Sequence, residues 1–284
     1  MFRSLHRAIV RQWLRQFRKR QMVPSVRAVF LGDAVSTQIT LDGIYEKYEL
    51  SALGKELFPQ LAHPSVCLDV GANIGNHSSF FAQHFDRVVA LEPNPMIFSV
   101  LVANVMGRNV TPVPEGLSDR KTKLWFRQDF ANLGASHIVD DKNVANFEID
   151  VRPLDDLATE LGLTDVSFIK LDVERHEAAV LRGGMAFLQT QKPVLAMEAF
   201  FKHEPDLGQE IAELLNQAGY RYFYKLAPVS KLTRRLENTF LSPHRGIMRV
   251  LLPEQMRKAV SMERVDDIMN ANHQLLICSH RPLK

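Results

Sequence analysis

Cysteine is scarce: the 284 residues hold two, Cys67 and Cys278, each inside an apolar, strand-like run. Such thiols suit burial, and unpaired ones suit a reducing compartment, most simply the cytoplasm. No CxxC pair or Cys/His cluster offers a metal site, and nothing else in the sequence calls for a metal. No apolar run approaches the ~18 to 20 residues that cross a bilayer. A secretory leader is not expected, because no uninterrupted apolar core follows the basic N-terminus. Internal repeats and low-complexity tracts are missing. Acid is missing from residues 1–32, which carry eight basic side chains.

What remains is ordinary globular composition, 46% hydrophobic and 24% charged, enough for one large domain with appendages. The net charge of +3 conceals an asymmetry: residues 33–224 hold 16 basic and 27 acidic residues, and residues 225–284 hold 11 and 5. A net-negative body between two basic ends points to a polyanionic surface nearby, whether membrane, nucleic acid or anionic substrate. Residues 2–18 have helical spacing, with Phe2, Leu5, Ile9, Trp13 and Phe17 on one side and Arg7, Arg11, Arg15 and Arg18 opposite. A basic amphipathic helix of this kind lies in a membrane interface or docks on its own domain.

The expected organisation is this helix over 1–25, strands and a helix over 26–64, and a main domain over 65–284 with a basic insertion at about 228–270. Within 26–41 two short strands are expected around "GDA", then a helix over 43–58. From residue 66 strand and helix signals alternate: strands at 66–70, 87–92, 109–113, 166–173, 193–200, 220–226 and 274–279, with helices between and shorter strand-like pieces in 117–151. Strands rich in Val, Leu and Ile without clean alternation are buried on both faces. With helices between them, they predict a doubly wound, Rossmann-like α/β fold.

Ligands of such a sheet bind beyond the carboxyl ends of its strands. "VCLDVGANIGNHSSFF" is a strand that turns at once into a helix, and Gly71 and Gly75 permit the tight bend. A dinucleotide fingerprint would place a second glycine two residues after the first; here Asn73 stands there, which disfavours close packing of a diphosphate. Glu92 ends the next strand, 21 residues after Gly71, where a carboxylate accepts hydrogen bonds from both ribose hydroxyls. A ribose without a diphosphate suggests S-adenosyl-L-methionine (SAM), whose methyl group is already electrophilic.

In order, "LDVGANIGNHSSFFA", "ALEPNP", "FIKLDVERHEAAVLRGG" and "VLAMEAF", with "DGIYEKYEL" upstream, resemble the FkbM-type SAM-dependent methyltransferases over about residues 42–225. The resemblance implies a class I methyltransferase sheet of seven mostly parallel strands with the last antiparallel. It implies O-methylation of sugar, glycolipid or related hydroxyls. By position it implies a SAM loop of Asp69, Gly71, Asn73 and Gly75, with Asn76 and His77 behind it. Glu92 would hold the ribose, Asn94 would lie on the adenine side, Ser118 and Asp119 would border the adenine, and Tyr45 and Glu46 would close over the methionine end. The family usually has glycine after "DVE"; this chain has Arg175, whose bulk is expected near the acceptor pocket.

A hydroxyl acceptor must lose a proton, and a positioned base accelerates that step by ~10²- to 10⁴-fold. "KLDVERHE" offers Asp172, as base or SAM contact, then His176 and Glu174, with Glu177 as a helix-start acid and Glu198 as a further carboxylate. A nicotinamide-dependent oxidoreductase shares the strand, turn, helix and acid, but Asn73 and the later motifs disfavour it. A nucleic-acid methyltransferase fits the basic ends, but the D/N-P-P-aromatic motif is missing.

Overall fold

A computed structural model describes residues 28–129, 133–199, 201–228, 260–269 and 271–284. The helix expected at 2–18 and most of the 228–270 segment lie outside the described residues.

Two helices precede the sheet. α1 (Ala34–Asp42) replaces the two strands expected around "GDA", for a local reason. The Asp33 carboxylate caps the helix by accepting the Ser36 N–H at 2.8 Å. Thr37 and Thr40, residues that suit a strand, donate their hydroxyls to the Asp33 and Ser36 carbonyls instead. Gly43 ends α1 in the left-handed region at φ 80°. α2 (Lys47–Ala52) begins only after Glu46, itself left-handed at φ 52°, and runs on through a π turn (Leu53–Leu57) and a 3-10 turn (Phe58–Gln60). The continuous helix expected over 43–58 therefore starts late.

The alternation then follows the pattern: β1 (Val66–Val70), α3 (Asn76–Phe81), β2 (Arg87–Leu91), α4 (Pro95–Val105) and β3 (Val110–Val113). An excursion of short strands follows: β4 (Gly116–Leu117), β5 (Thr122–Arg127), β6 (His137–Ile138) and β7 (Phe147–Arg152). The main sheet resumes with α5 (Leu154–Glu160), β8 (Val166–Leu171), α6 (Glu177–Gly183), α7 (Met185–Gln191), β9 (Val194–Ala199), α8 (Pro205–Gln217), β10 (Tyr222–Pro228), β11 (Val260–Val265) and β12 (His273–Ser279). One helix expected over 177–189 is two, α6 and α7, broken at Gly184 where a β-carbon would lie 2.8 Å from Leu154.

The main sheet has the order β11-β10-β12-β9-β8-β1-β2-β3. β1, β2, β3, β8 and β9 pair in parallel, and β12 runs antiparallel to both its neighbours, β9 and β10. The seven expected strands are present with the last antiparallel; β11 adds an eighth on the β10 edge. That strand comes from the stretch expected to be an insertion beside the sheet, whose apolar–polar alternation suits an edge.

Both faces of the sheet are buried, and strand periodicity divides the core between them. Leu68, Val70, Leu91, Ile169, Leu171 and Met197 face α5 to α8, and Cys67, Val88, Phe168 and Ala196 face the residues around α2 and α3. There Phe58 meets Phe85 and Phe168 with ring centroids 4.9 and 5.2 Å away. Because β1 sits between β2 and β8, its carboxyl end is the point where the chain's windings diverge, and the cleft opens there.

Candidate active site

The loop after β1 is built on two close approaches. Gly71 is left-handed at φ 78°, and a β-carbon on it would stand 1.8 Å from the Asp172 carbonyl oxygen. Gly75, at φ 87°, lets α3 start against α4, where a β-carbon would lie 2.8 Å from Leu101. The Gly71 and Ala72 N–H groups both donate to the Leu91 carbonyl, so the loop curls over the end of β2. Asn73, left-handed at φ 49°, donates its N–H to Glu92 Oε2 at 3.0 Å, while the Asn94 N–H donates to Oε1 at 2.9 Å. Glu92 is thereby fixed at the cavity wall. Burial pushes its carboxyl up to about 7, although both backbone donors favour the ionised form.

A cavity of about 190 Å³ opens between this loop, the ends of β2 and β8, and the small sheet. Tyr45, Glu46, Gly71, Asn73, Asn76, His77, Glu92, Asp172, Glu174 and His176 all line it. Five other candidates stand behind the wall. Asp69 is fully buried, accepts the Ser78 hydroxyl at 2.5 Å and lies 3.9 Å from Lys170 Nζ. Gly75 supports the helix. Asn94 caps α4 and donates its amide to Gln128 at 3.0 Å. Ser118 holds His176, and Asp119 faces Arg182 at 3.6 Å.

At one end of the cavity Asn76 clamps the chain before α2: its side chain accepts the Tyr45 N–H at 3.0 Å and donates to the Tyr45 carbonyl at 3.1 Å. His77 Nε2 lies 3.0 Å from Glu46 Oε2. Together these fix Tyr45 and Glu46 over the loop. Burial, then the nearby Glu46 and Asp172, hold the Tyr45 phenol well above its ordinary range.

At the end of β8 Lys170 Nζ pairs with Asp172 Oδ2 at 3.0 Å. Burial alone would lower the ammonium pKa, but Asp172 and Asp69 outweigh it and raise it, so the charge stays. Glu174 is left-handed at φ 49°, and burial, then Asp172 and Glu177, push its carboxyl up to about 7. Glu198, on β9, is pushed up to about 8 by burial, then by Asp172 and Glu174. His176 Nε2 lies 2.9 Å from the Ser118 hydroxyl, and burial lowers the ring's pKa below its ordinary value, which keeps it neutral at neutral pH. Ser118 is held in turn: its N–H donates to the Arg152 carbonyl, and Gly183 lies so close that a β-carbon there would meet the Ser118 carbonyl oxygen at 2.0 Å. The cavity thus gathers five acidic side chains (Glu46, Glu92, Asp172, Glu174 and Glu198) around the buried ammonium of Lys170.

The family model described as "Methyltransferase FkbM domain" matches residues 69–222, more than half of the chain. The chain belongs to the FkbM methyltransferase family. It is 28% identical over 164 residues to the hexuronic acid methyltransferase AglP of Haloferax volcanii, covering 57% of this chain and 66% of that one, just under two thirds. Among solved structures it is similar to the methyltransferase FkbM from Methylobacillus flagellatus KT, with TM-score 0.43 and 23% identity, over 68% of this chain and 49% of that chain. It is also similar to Aeropyrum pernix fibrillarin in complex with natively bound S-adenosyl-L-methionine, with TM-score 0.42 and 13% identity, over 82% of this chain and 74% of that one. This chain therefore spans about half the length of the solved FkbM chain.

Where the FkbM pattern usually has glycine, Arg175 takes φ 75°, the left-handed region that favours glycine. Its side chain is exposed and pairs with Glu204 at 2.9 Å. Arg175 does not line the main cavity, so its bulk does not enter an acceptor pocket there as expected. Instead it borders a smaller hollow behind Glu198.

One wall was not foreseen. Phe126, Ile138, Ile149 and Val151 of the small sheet, with Leu133 and Val35, make the cavity's apolar side. Asp33 ties this wall to α1: while Oδ2 caps the helix, Oδ1 accepts the Leu133 N–H at 2.9 Å, across 100 residues of chain. The sequence marked "FEIDV" only as a short strand-like piece and held no sign of what it would cover.

Proposed function

We propose that this chain transfers a methyl group from SAM to a hydroxyl of a sugar or glycolipid. The carrying observation is Glu92, buried at the cavity edge of β2 with its carboxylate aligned by the Asn73 and Asn94 N–H groups. The cavity fits the cofactor. The loop at Gly71 has no room for a side chain, so backbone can approach the cofactor there, and the acidic Glu46 and Asp172 on the cavity wall suit a cation. Glu92 would hold the ribose, Ile97, Leu117 and Val151 would flank the base, and Tyr45, Glu46 and Asp172 would close the methionine end. SAM supplies a methyl group on a positively charged sulfur, already activated for transfer.

The chain's own residues then orient the acceptor, exclude water and take a proton. Glu174 is the proton acceptor: it lines the cavity, and a carboxyl held up to about 7 is matched to exchange near neutral pH. His176, bound to Ser118, orients the acceptor beside it. The relative that acts on hexuronic acid supports a carbohydrate acceptor. The basic, amphipathic residues 2–18 support action at an anionic lipid surface, and the free, buried Cys67 and Cys278 suit the reducing cytoplasm.

Titration calorimetry with SAM and with NAD tests the reading. The full chain is expected to bind SAM and not NAD. Glu92→Gln should weaken SAM about 10- to 100-fold, equivalent to ~1.4 to 2.7 kcal/mol for a hydrogen bond to a charged group. Wild-type affinity in that variant, or tighter binding of NAD, overturns the assignment. Labelled SAM incubated with cell extract, followed by mass spectrometry, then identifies the acceptor.

A further inference from the structure

Between the end of β8 and the start of α6 the chain makes a turn in which two consecutive residues, Glu174 at φ 49° and Arg175 at φ 75°, are left-handed. Neither is glycine, so each conformation is strained and persists only where its surroundings impose it. The imposing group is the Glu177 side chain. Its Oε1 accepts the Val173 N–H at 3.4 Å and the Arg175 N–H at 3.3 Å, one residue on either side of Glu174. The N–H of Glu177 itself donates to the same carboxyl group. Arg175 is held a second time, from outside, by Glu204 at 2.9 Å. Glu177 is buried and does not line the main cavity; Glu174, whose flanks it holds, does.

An acid in the first turn of a helix is ordinarily explained by the helix dipole, an effect that needs its charge and no burial. Glu177 departs from that pattern. Burial pushes its carboxyl up to about 7, although three backbone donors favour the ionised form. A buried carboxyl is costly unless its oxygens are hydrogen-bonded, and here those bonds go to the strained turn. Either protonation state leaves an oxygen that accepts. The clamp therefore needs the reach of the side chain rather than its charge.

We propose that Glu177 is a positioning residue for methyl transfer: by bonding the backbone on both sides of Glu174, it holds the strained turn that aims the Glu174 carboxyl into the cavity. This deepens, and rests on, the reading of Glu174 as the proton acceptor. A base must meet the departing proton within hydrogen-bond reach, and a displacement of about 1 Å can cost ~10²-fold in rate. Released from the clamp, the turn relaxes toward conformations that non-glycine residues prefer, and the Glu174 carboxyl leaves the cavity wall.

Two conservative variants of the full chain separate reach from charge. Glu177→Gln keeps the length and an acceptor oxygen and loses the charge. Glu177→Asp keeps the charge at the helix start but is one methylene too short for N–H groups already at 3.3 and 3.4 Å. With labelled SAM, and cell extract as the source of acceptor, Glu177→Asp should lower kcat ~10- to 100-fold with KM for SAM within about twofold of wild type, and Glu177→Gln should keep kcat within about threefold. Adding Arg175→Gly, since glycine takes φ 75° without strain, should restore most of what Glu177→Asp loses. If Glu177→Asp alone is unfolded in a thermal melt, Arg175→Gly must restore the fold; failure to do so overturns the proposal. Loss of turnover in Glu177→Gln, or full turnover in Glu177→Asp, also overturns it. Glu174→Gln is assayed alongside: wild-type turnover there overturns the base reading and the proposal together, whereas loss there with full turnover in Glu177→Asp overturns the positioning role alone. A readout without cofactor is the Glu174 carboxyl carbon in NMR of the isotope-labelled, SAM-free chain, identified by its loss in Glu174→Gln. Burial, then Asp172 and Glu177, raise its pKa; Arg175 and Lys170 lower it; Glu198 on β9 also faces it. It should titrate at about 7 in the wild type and move toward the ordinary carboxylate value of about 4.3 in Glu177→Asp, where the charge is kept and burial is lost. An unchanged midpoint in that variant overturns the proposal.

Discussion

The Asp172 carbonyl oxygen fills the space that a β-carbon on Gly71 would occupy, with 1.8 Å between them. The first loop of the sheet and the end of β8 are thus locked together through backbone alone, which brings Glu92, Asp172 and Glu174 to one cavity. Gly71→Ala adds a left-handed penalty of ~1–2 kcal/mol and forces this contact apart. We expect destabilisation of about 3 kcal/mol or more, a fall in Tm on the order of 10 °C, and loss of SAM binding. A thermal melt within about 2 °C of wild type would contradict the contact.

Glu174 and His176 are two residues apart, yet burial raises the carboxyl and lowers the imidazole, and the proposed function gives them different tasks. Glu174→Gln should lower turnover by ~10²- to 10⁴-fold with SAM affinity nearly unchanged. His176→Asn should lower it less than about tenfold. In the wild type, methyl transfer should rise with pH through about 7, because the base must be ionised and the Glu174 carboxyl is held there. Assays with labelled SAM across pH decide it; the larger loss in His176→Asn would reassign the proton.

Stability without ligand should fall as pH rises from about 7.5 to about 9, above the range in which unfolded histidines still hold a proton. Glu198 is raised to about 8 by burial, then by Asp172 and Glu174, so the folded chain keeps a proton that the unfolded chain has released. A raised carboxyl of this kind contributes stability that is full below the ordinary carboxylate range and is lost as pH passes through about 8. Denaturant titrations at several pH values should show the slope, and Glu198→Gln should flatten it. A slope unchanged by that substitution would remove Glu198 as its source.

The loop and the acid that ends the next strand were legible in the sequence because their chemistry is local. Gly71, Asn73 and Gly75 lie within five residues, and Glu92 ends the next strand, so propensity, spacing and motif agree. Local chemistry also misled. The β-branched residues near Asp33 suggested strands, while their hydroxyls and the Asp33 cap made α1. Asp69, Asn94, Ser118 and Asp119 carry the right residue types at the right positions, yet stand behind the cavity wall because their side chains are occupied by Ser78, Gln128, His176 and Arg182.

From its order of residues alone this protein has its alternating elements, its family motifs and the glycine-bounded turn, since each depends on neighbours a few positions apart. Folding alone decided the apolar wall of the small sheet, the Asp33 tie to Leu133 and the outward turn of Arg175. Those depend on which distant segments pack together, and a one-dimensional pattern shows that a side chain will be buried without showing against what.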